Sequence, residues 1–277
     1  MFILNIDNPS PKQQVVLDME EIRAEVENVN FEDQHYNSDI AGARGEEHAK
    51  CMKMFMLHLS LCHSVLIESC EEAMEDEECI DAEPTFSASS PDEQALVSAA
   101  KYFGWKFFER RQGQVDILLD GEIQTYWILA VFEFTSARKR MTVIVQDAAG
   151  EITVLVKGAE NVIYERVSKS TTSTVLERNT AVLESFARDG LRTLVIASKA
   201  ITQEKWTSFS SNYEAALTNL GEVEKKAKGE DNRIDELQNE MEDGLSLLGI
   251  TGIEDRLQDG VPETMEKLAI PGIDVWV

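Results

Sequence analysis

The feature that most constrains this chain is the segment from Arg140 to Val156. Two runs, RMTVIVQ and EITVLV, flank the short connector DAAG. β-Branched residues alternate on either side of a tight loop ending in glycine, which reads as a β-hairpin. Further strand patterns precede it after Gly104: WKFF, VDILL and a long run from Gln124 to Phe134. Ahead of these strands lies a helix start. Ser90 can cap the first turn, Pro91 suits the first helical position, and Asp92 and Glu93 complement the helix dipole. Ala95, Leu96, Ala99 and Ala100 then share one face.

Other elements follow from spacing. Met52, Phe55, Met56, Leu59, Cys62, His63 and Leu66 repeat at helical intervals, so residues 46–67 form a core-facing helix. His58 and His63 are five apart, off a common helix face, and read as ordinary packing or surface histidines. Helices are expected over Ala159–Val167 and Val175–Arg188, the second closed by Gly190, with a strand over Leu191–Ala197. Residues 202–243 read as one or two exposed charged helices, interrupted near Gly229. LSLLGITGI is a near-continuous apolar run, as in a buried parallel strand. Val261, Met265 and Leu268 then give a short helix, and IDVWV a second buried-type strand. The expectation is a β-α-β corner with a core separate from that of residues 104–197.

Composition excludes several classes. In 277 residues, 43% are hydrophobic, too many for global disorder. Lys and Arg number 26 against 51 Asp and Glu, a formal charge of −25, the opposite of a nucleic-acid footprint. No apolar run reaches the roughly 18 residues that span a bilayer, and the Met1 segment lacks a signal peptide's basic start, so a soluble chain is expected. Cys51, Cys62, Cys70 and Cys79 match no CxxC metal spacing and read as free thiols. Val15, Met19, Ile22 and Val26 suggest a short acidic surface helix within the weakly patterned residues 1–45. Residues 68–83 carry nine acidic side chains in sixteen residues, without the glycine a calcium loop requires, and read as a solvated loop.

The chemistry-bearing candidates stand at strand ends. Taken singly, Phe134 is core mass, Arg138, Lys139 and Arg140 are a solvated turn, Lys157 and Arg192 are surface cations, and Glu93 caps a helix. Five strings in order change that reading: SSPDEQALVSAAKYFG, FEFTSARKRMTVIV, LVKGAENVIYER, FARDGLRTLVIA and LLGITGIEDRLQDGVPETM. Together they resemble the P-type ATPases, in the phospholipid-translocating (type IV, flippase) branch, over about residues 85–277.

The resemblance implies an α+β (α/β) fold: a twisted, mainly antiparallel sheet flanked by helices, as in the family's nucleotide-binding domain. A truncated haloacid-dehalogenase-like β-α-β piece would follow. The implied organisation is an N-terminal segment 1–45, a nucleotide-binding domain 46–243 and a partial phosphorylation domain 244–277 that retains Asp255. By motif, Phe134 would stack on adenine and Glu93 would accept from its amino group. Lys157 would pair with the phosphates or lie along the nucleotide, Gly158 would allow close backbone approach, and Arg192 would contact phosphate. Lys139 and Ser136 would line the same mouth. The implied ligands are ATP and Mg²⁺, the Mg²⁺ site mostly outside these residues. In the intact parent the partners would be a phospholipid and an accessory β-subunit, and the domain would lie on the cytosolic face of a eukaryotic membrane. The family's DKTGT string, with its phosphorylated aspartate, does not occur here. The expectation is nucleotide binding without hydrolysis or lipid movement. A different class, an acidic interaction module without nucleotide, remains open at this point.

Overall fold

The computed structural model describes residues 26, 29, 32–68, 85–88, 90–255 and 260–275. Most of the N-terminal helix expected near Val15, the acidic loop 68–83 apart from Glu68, and Cys70 and Cys79 lie outside the described residues. Cys51 and Cys62 are free thiols.

A seven-stranded antiparallel sheet organises the described residues. Its strands are β3 (Trp105–Arg111), β4 (Gln114–Leu119), β5 (Glu122–Phe132), β6 (Arg140–Gln146), β7 (Ile152–Gly158), β8 (Arg192–Ile201) and β9 (Ser246–Ile253), neighbours in that order. The predicted hairpin is β6–β7, in register from Arg140↔Gly158 to Gln146↔Ile152. Asp147 caps its turn by accepting from the Ala149 and Glu151 amides, the local bonding that suits aspartate to turns. A small ribbon of β1 (Leu66–Glu68) and β2 (Thr85–Ser87) stands apart.

Helices cover both faces. α1 (Tyr36–Ile40), α2 (Glu46–Leu61) and α3 (Pro91–Tyr102) lie on one face. There Leu61, Val97, Phe107, Ile117, Met141, Val143 and Leu155 pack together. α4 (Glu160–Tyr164), α5 (Ser173–Arg188), α6 (Gln203–Thr218), α7 (Leu220–Lys228) and α8 (Arg233–Met241) follow in the chain. The opposite core joins Phe132, Ile144, Val154 and Val156 to Phe186, Phe209, Ile234, Leu237 and Met241. Residues 202–243 are therefore not merely exposed helices: they supply side chains to that core, and Gly229 ends α7 in the left-handed conformation (φ 72°) that glycine tolerates. His58 and His63 are both buried.

The run 245–253 corrects the reading of a separate parallel unit. β9 is a strand as predicted, but it pairs antiparallel with β8, from Arg192↔Ile253 to Ser198↔Ser246. Its uninterrupted apolar pattern has another cause, cover on both faces. A Cβ on Gly249 would lie 2.9 Å from the Phe55 ring of α2, and one on Gly252 would lie 2.9 Å from Phe186 of α5. The strand is thus continuous with the core of residues 104–197. Of IDVWV, residues 273–275 form no strand, and Ile273 and Val275 are exposed; Trp276 and Val277 lie outside the described residues. α9 (Val261–Ala269) is a helix as predicted, without a buried side chain among its residues.

Candidate functional site

Antiparallel pairing gathers the candidates. β5 and β7 end, and β6 and β8 begin, at one end of the sheet: Phe132 lies opposite Thr142, Arg140 opposite Gly158, and Gly158 opposite Val195. Phe134, Ser136 and Lys139 occupy the β5–β6 connection, Lys157 and Gly158 the last positions of β7, and Arg192 the first position of β8. Asp255 follows β9 at the same end.

Helix α3 brings Glu93 to this end. Lys157 Nζ donates to Glu93 Oε1 at 2.6 Å. Ser64 donates its backbone N–H (2.8 Å) and its hydroxyl (2.5 Å) to Oε2. Burial disfavours the charged Glu93, but the Lys157 ammonium and the donors from Lys157 and Ser64 together outweigh it. The carboxyl is held below its ordinary range. An ionised carboxylate has about four acceptor positions; the three described donors leave one for a further donor. The side chains of Lys157 and Glu93 are only 9% and 12% exposed, so this pair forms a floor, not a rim.

The rim is more open. Phe134 is 59% exposed, so it is not the core phenylalanine its chemistry alone suggests. Ser136 and Lys139 are exposed as well. Arg192 is 55% exposed and reaches Asp92 at 3.1 Å and Asp255 at 3.7 Å. Asp255 accordingly contacts the start of β8 within this same end. Beside the floor opens a cleft of about 190 Å³, with Ser64, Arg110, Val131, Glu133 and Met141 on its walls. Arg110 is anchored there by donating to the His63 carbonyl (2.9 Å).

Gly158 is required by close approach. A Cβ there would lie 2.7 Å from the Lys139 carbonyl oxygen and 2.6 Å from Arg140 Cβ. That carbonyl accepts from the Ala159 amide (3.0 Å), which stitches the Phe134 loop to the end of β7. Lys139 itself has φ 51°, uncommon for a residue with a Cβ.

Two features escape sequence reasoning. Ser64 is one, an ordinary serine until the fold sets it against Glu93. The other is a buried ion cluster. Arg138 and Arg140 are not a solvated turn: both donate to Glu242, which is fully buried just after α8. Thr142 donates to the same carboxylate. Arg140 also binds Asn239 (2.6 Å), and Arg138 binds Gln238. The partners are about a hundred residues apart, a distance no local pattern spans.

Residues 53–260 match the family described as P-type ATPase, cytoplasmic domain N. The chain is 36% identical over 251 residues to phospholipid-transporting ATPase DNF1 of Chaetomium thermophilum, covering 91% of this chain and 15% of that protein. It is 37% identical over 226 residues to phospholipid-transporting ATPase IC of Mus musculus, covering 82% and 16%. With phospholipid-transporting ATPase 10 of Arabidopsis thaliana the identity is 37% over 258 residues, covering 91% and 20%. The matched region is therefore between 15% and 20% of these relatives' lengths. Among the described residues, no helix is long and apolar enough to cross a membrane.

Proposed function

Because the chain belongs to the P-type ATPase cytoplasmic N-domain family, we propose that it binds ATP at the sheet end just described. The observation that carries this reading is that a buried ion pair, Glu93–Lys157, with one acceptor position open shares a sheet end with an exposed aromatic ring and two exposed cations. An exposed phenylalanine offers a flat face to a base, worth roughly 1–3 kcal/mol in base stacking. The remaining acceptor position of Glu93 suits an exocyclic amino group. Lys157 lies too deep for a phosphate clamp and is assigned to the nucleotide's base and sugar. Arg192 and Lys139, open to solvent, are assigned to the phosphates, where charge-assisted bonds are strongest. Ser136 borders the same opening.

The parent is proposed to be an ATP-driven phospholipid transporter at a membrane, with this domain on the cytosolic side and an accessory subunit as partner. These 277 residues carry no DKTGT string, so phosphoryl transfer is assigned to residues other than these. Among the described residues, no three His, Cys, Asp or Glu side chains converge as a metal site, and Mg²⁺ is assigned to the nucleotide's own phosphates. We place the end of the nucleotide-binding domain at about Ile253, where β9 closes the sheet, rather than before it.

Titration of the chain with ATP, followed by amide resonances, tests this. Shifts are expected at residues 134–139 and 157–159, saturating in the high-micromolar to millimolar range, on the order of 4–5 kcal/mol. If ATP at about ten millimolar, well above such a dissociation constant, moved none of them, the reading would fail.

A further inference from the structure

The loop that presents Phe134 and Lys139 is gripped from the opposite face of the sheet. We propose that Glu242 is a positioning residue for the nucleotide site, holding Arg138 and Arg140 so that the loop between β5 and β6 keeps one shape. This rests on the ATP-binding reading given above.

Arg138 and Arg140 flank Lys139 and converge on one fully buried carboxylate. With both neighbours turned inward, Lys139 is left exposed. Its left-handed φ of 51° is one that a lysine adopts only when its surroundings impose it. The surroundings here are specific. The Lys139 amide donates to the Thr135 carbonyl (2.8 Å), its carbonyl accepts from Ala159 (3.0 Å), and Arg140 Nη1 donates to the Arg138 carbonyl (3.1 Å). Thr135 also caps the turn by accepting from the Arg138 amide (3.1 Å). The guanidinium of Arg138 packs over the Phe132 ring (5.7 Å) at the end of β5, two residues before Phe134. Every one of these contacts ends on the backbone or flanks of the same loop, and Glu242 anchors the two arginine side chains that bracket Lys139.

The cluster also sets the local field. Two guanidiniums meet one carboxylate, and Arg166 adds a third cation through Asn239 (3.1 Å). Arg166 is itself paired with Glu165 (3.7 Å), so three guanidiniums face two carboxylates beneath a mouth proposed to receive polyphosphate.

The test compares ATP affinity and amide exchange in four variants of the full chain. Glu242→Gln keeps the volume and removes the charge; ATP affinity should fall about tenfold, equivalent to about 1.4 kcal/mol. Exchange of amides 134–139 should accelerate while that of 143–156 does not. Glu242→Asp should recover part of the affinity. Gln238→Met removes one of Arg138's anchors, together with the Gln238–Tyr213 hydrogen bond (2.7 Å), and should weaken ATP about threefold, so it carries the test if Glu242→Gln does not fold. Leu237→Ala is the control. Its side chain is buried in the core on the same helix and takes no part in the hydrogen bonds to Arg138 and Arg140, so it should lower the melting temperature yet keep ATP affinity within about twofold. If Glu242→Gln folds and binds ATP as the unchanged chain does, the positioning role is overturned. It is also overturned if Leu237→Ala weakens ATP as much as Gln238→Met at equal melting temperature. An unchanged chain that fails to bind ATP overturns the nucleotide reading itself, a result distinct from either.

Discussion

Two ion-paired assemblies close the same end of the sheet from opposite faces, and they are built to different rules. On one face Glu93 accepts from Lys157 and Ser64 and keeps one acceptor position open. On the other, Glu242 accepts from Arg138 and Thr142 through one oxygen and from Nε of Arg140 through the other, with Arg140 Nη2 beside it as an ion pair (2.6 Å). Two guanidiniums and a hydroxyl thus close on both oxygens of one fully buried carboxylate. Lys157 and Glu93 retain a little exposure, whereas Glu242 has none. A fully buried carboxylate held by two cations resists change and fixes its neighbours. A pair with a single cation and some exposure, at the edge of a cleft, can take another partner. The comparison therefore separates a scaffold from a proposed binding surface within about the same few strands.

The largest effect that can break this comparison is on stability. Replacing Glu242 with Leu leaves two buried guanidiniums without their carboxylate and should cost about 3–5 kcal/mol. Replacing Glu93 with Leu strands one partly exposed ammonium and should cost about 1–3 kcal/mol. Thermal or urea unfolding of the two variants decides; if the Glu93 variant is the less stable, the assignment of scaffold and surface is reversed.

Acid should sharpen the same contrast. His58 and His63 lie buried on the Glu93 face. Burial first, then the nearby Lys157 for His58 and Arg110 for His63, depresses each imidazole to about 3. Each is neutral in the folded chain at a pH where the unfolded chain binds a proton. Stability should therefore be full above about pH 6.5 and fall as pH drops toward 3, by up to roughly 1.4 kcal/mol per pH unit for each histidine. Glu93, held low by its partners, adds a further loss only below its ordinary carboxylate range. Melting temperature against pH, in the unchanged chain and in His58→Leu, checks the sign. A variant whose slope between pH 6 and 4, the window set by those shifts, equals that of the unchanged chain would remove His58 from the account.

How far the sequence carried these conclusions differs between the two assemblies. Local patterns placed the hairpin β6–β7, the helix α3 with Pro91 at its start, and the strand ends that carry Phe134, Lys157 and Arg192. Those signals are short-range: alternation, caps and turns. The resemblance then ordered the strand-end residues into one expected site. What stayed illegible depends on pairing across the chain. β9 looked like a parallel strand because apolar cover on both faces leaves the same pattern whichever way the neighbouring strand runs. Arg138 and Arg140 looked solvated because their partners, Gln238, Asn239 and Glu242, come from a helix with a polar composition. Ser64 carries no motif, and only the fold brings it to Glu93.

Phe134 tests the binding surface without touching the scaffold. Its ring is 59% exposed, so Phe134→Ala should change unfolding stability by no more than about 0.5 kcal/mol. The loss of ATP affinity should be larger, about 1–3 kcal/mol, because a base would lose its stacking face. Calorimetric titration beside thermal unfolding gives both numbers from one preparation. A variant that melted far below the unchanged chain with its ATP affinity intact would return Phe134 to a packing role.

Arg192 should likewise leave stability almost untouched, and it sharpens the division between rim and floor. Its guanidinium is 55% exposed and shared between Asp92 and Asp255, two carboxylates on separate elements. Solvent screening leaves such pairs worth about 0–1 kcal/mol, so Arg192→Ala should barely move the melting temperature. Its effect on ligands should depend on phosphate number. If Arg192 leaves its carboxylates for phosphate, the variant should lose affinity for ATP while binding adenosine as before. Raising salt should narrow the ATP difference, because an exposed contact is screened. Lys157, on the floor, should show the opposite pattern, with adenosine and ATP weakened alike. Equal losses for adenosine and ATP in Arg192→Ala would move Arg192 from the phosphates to the base and dissolve the division between rim and floor.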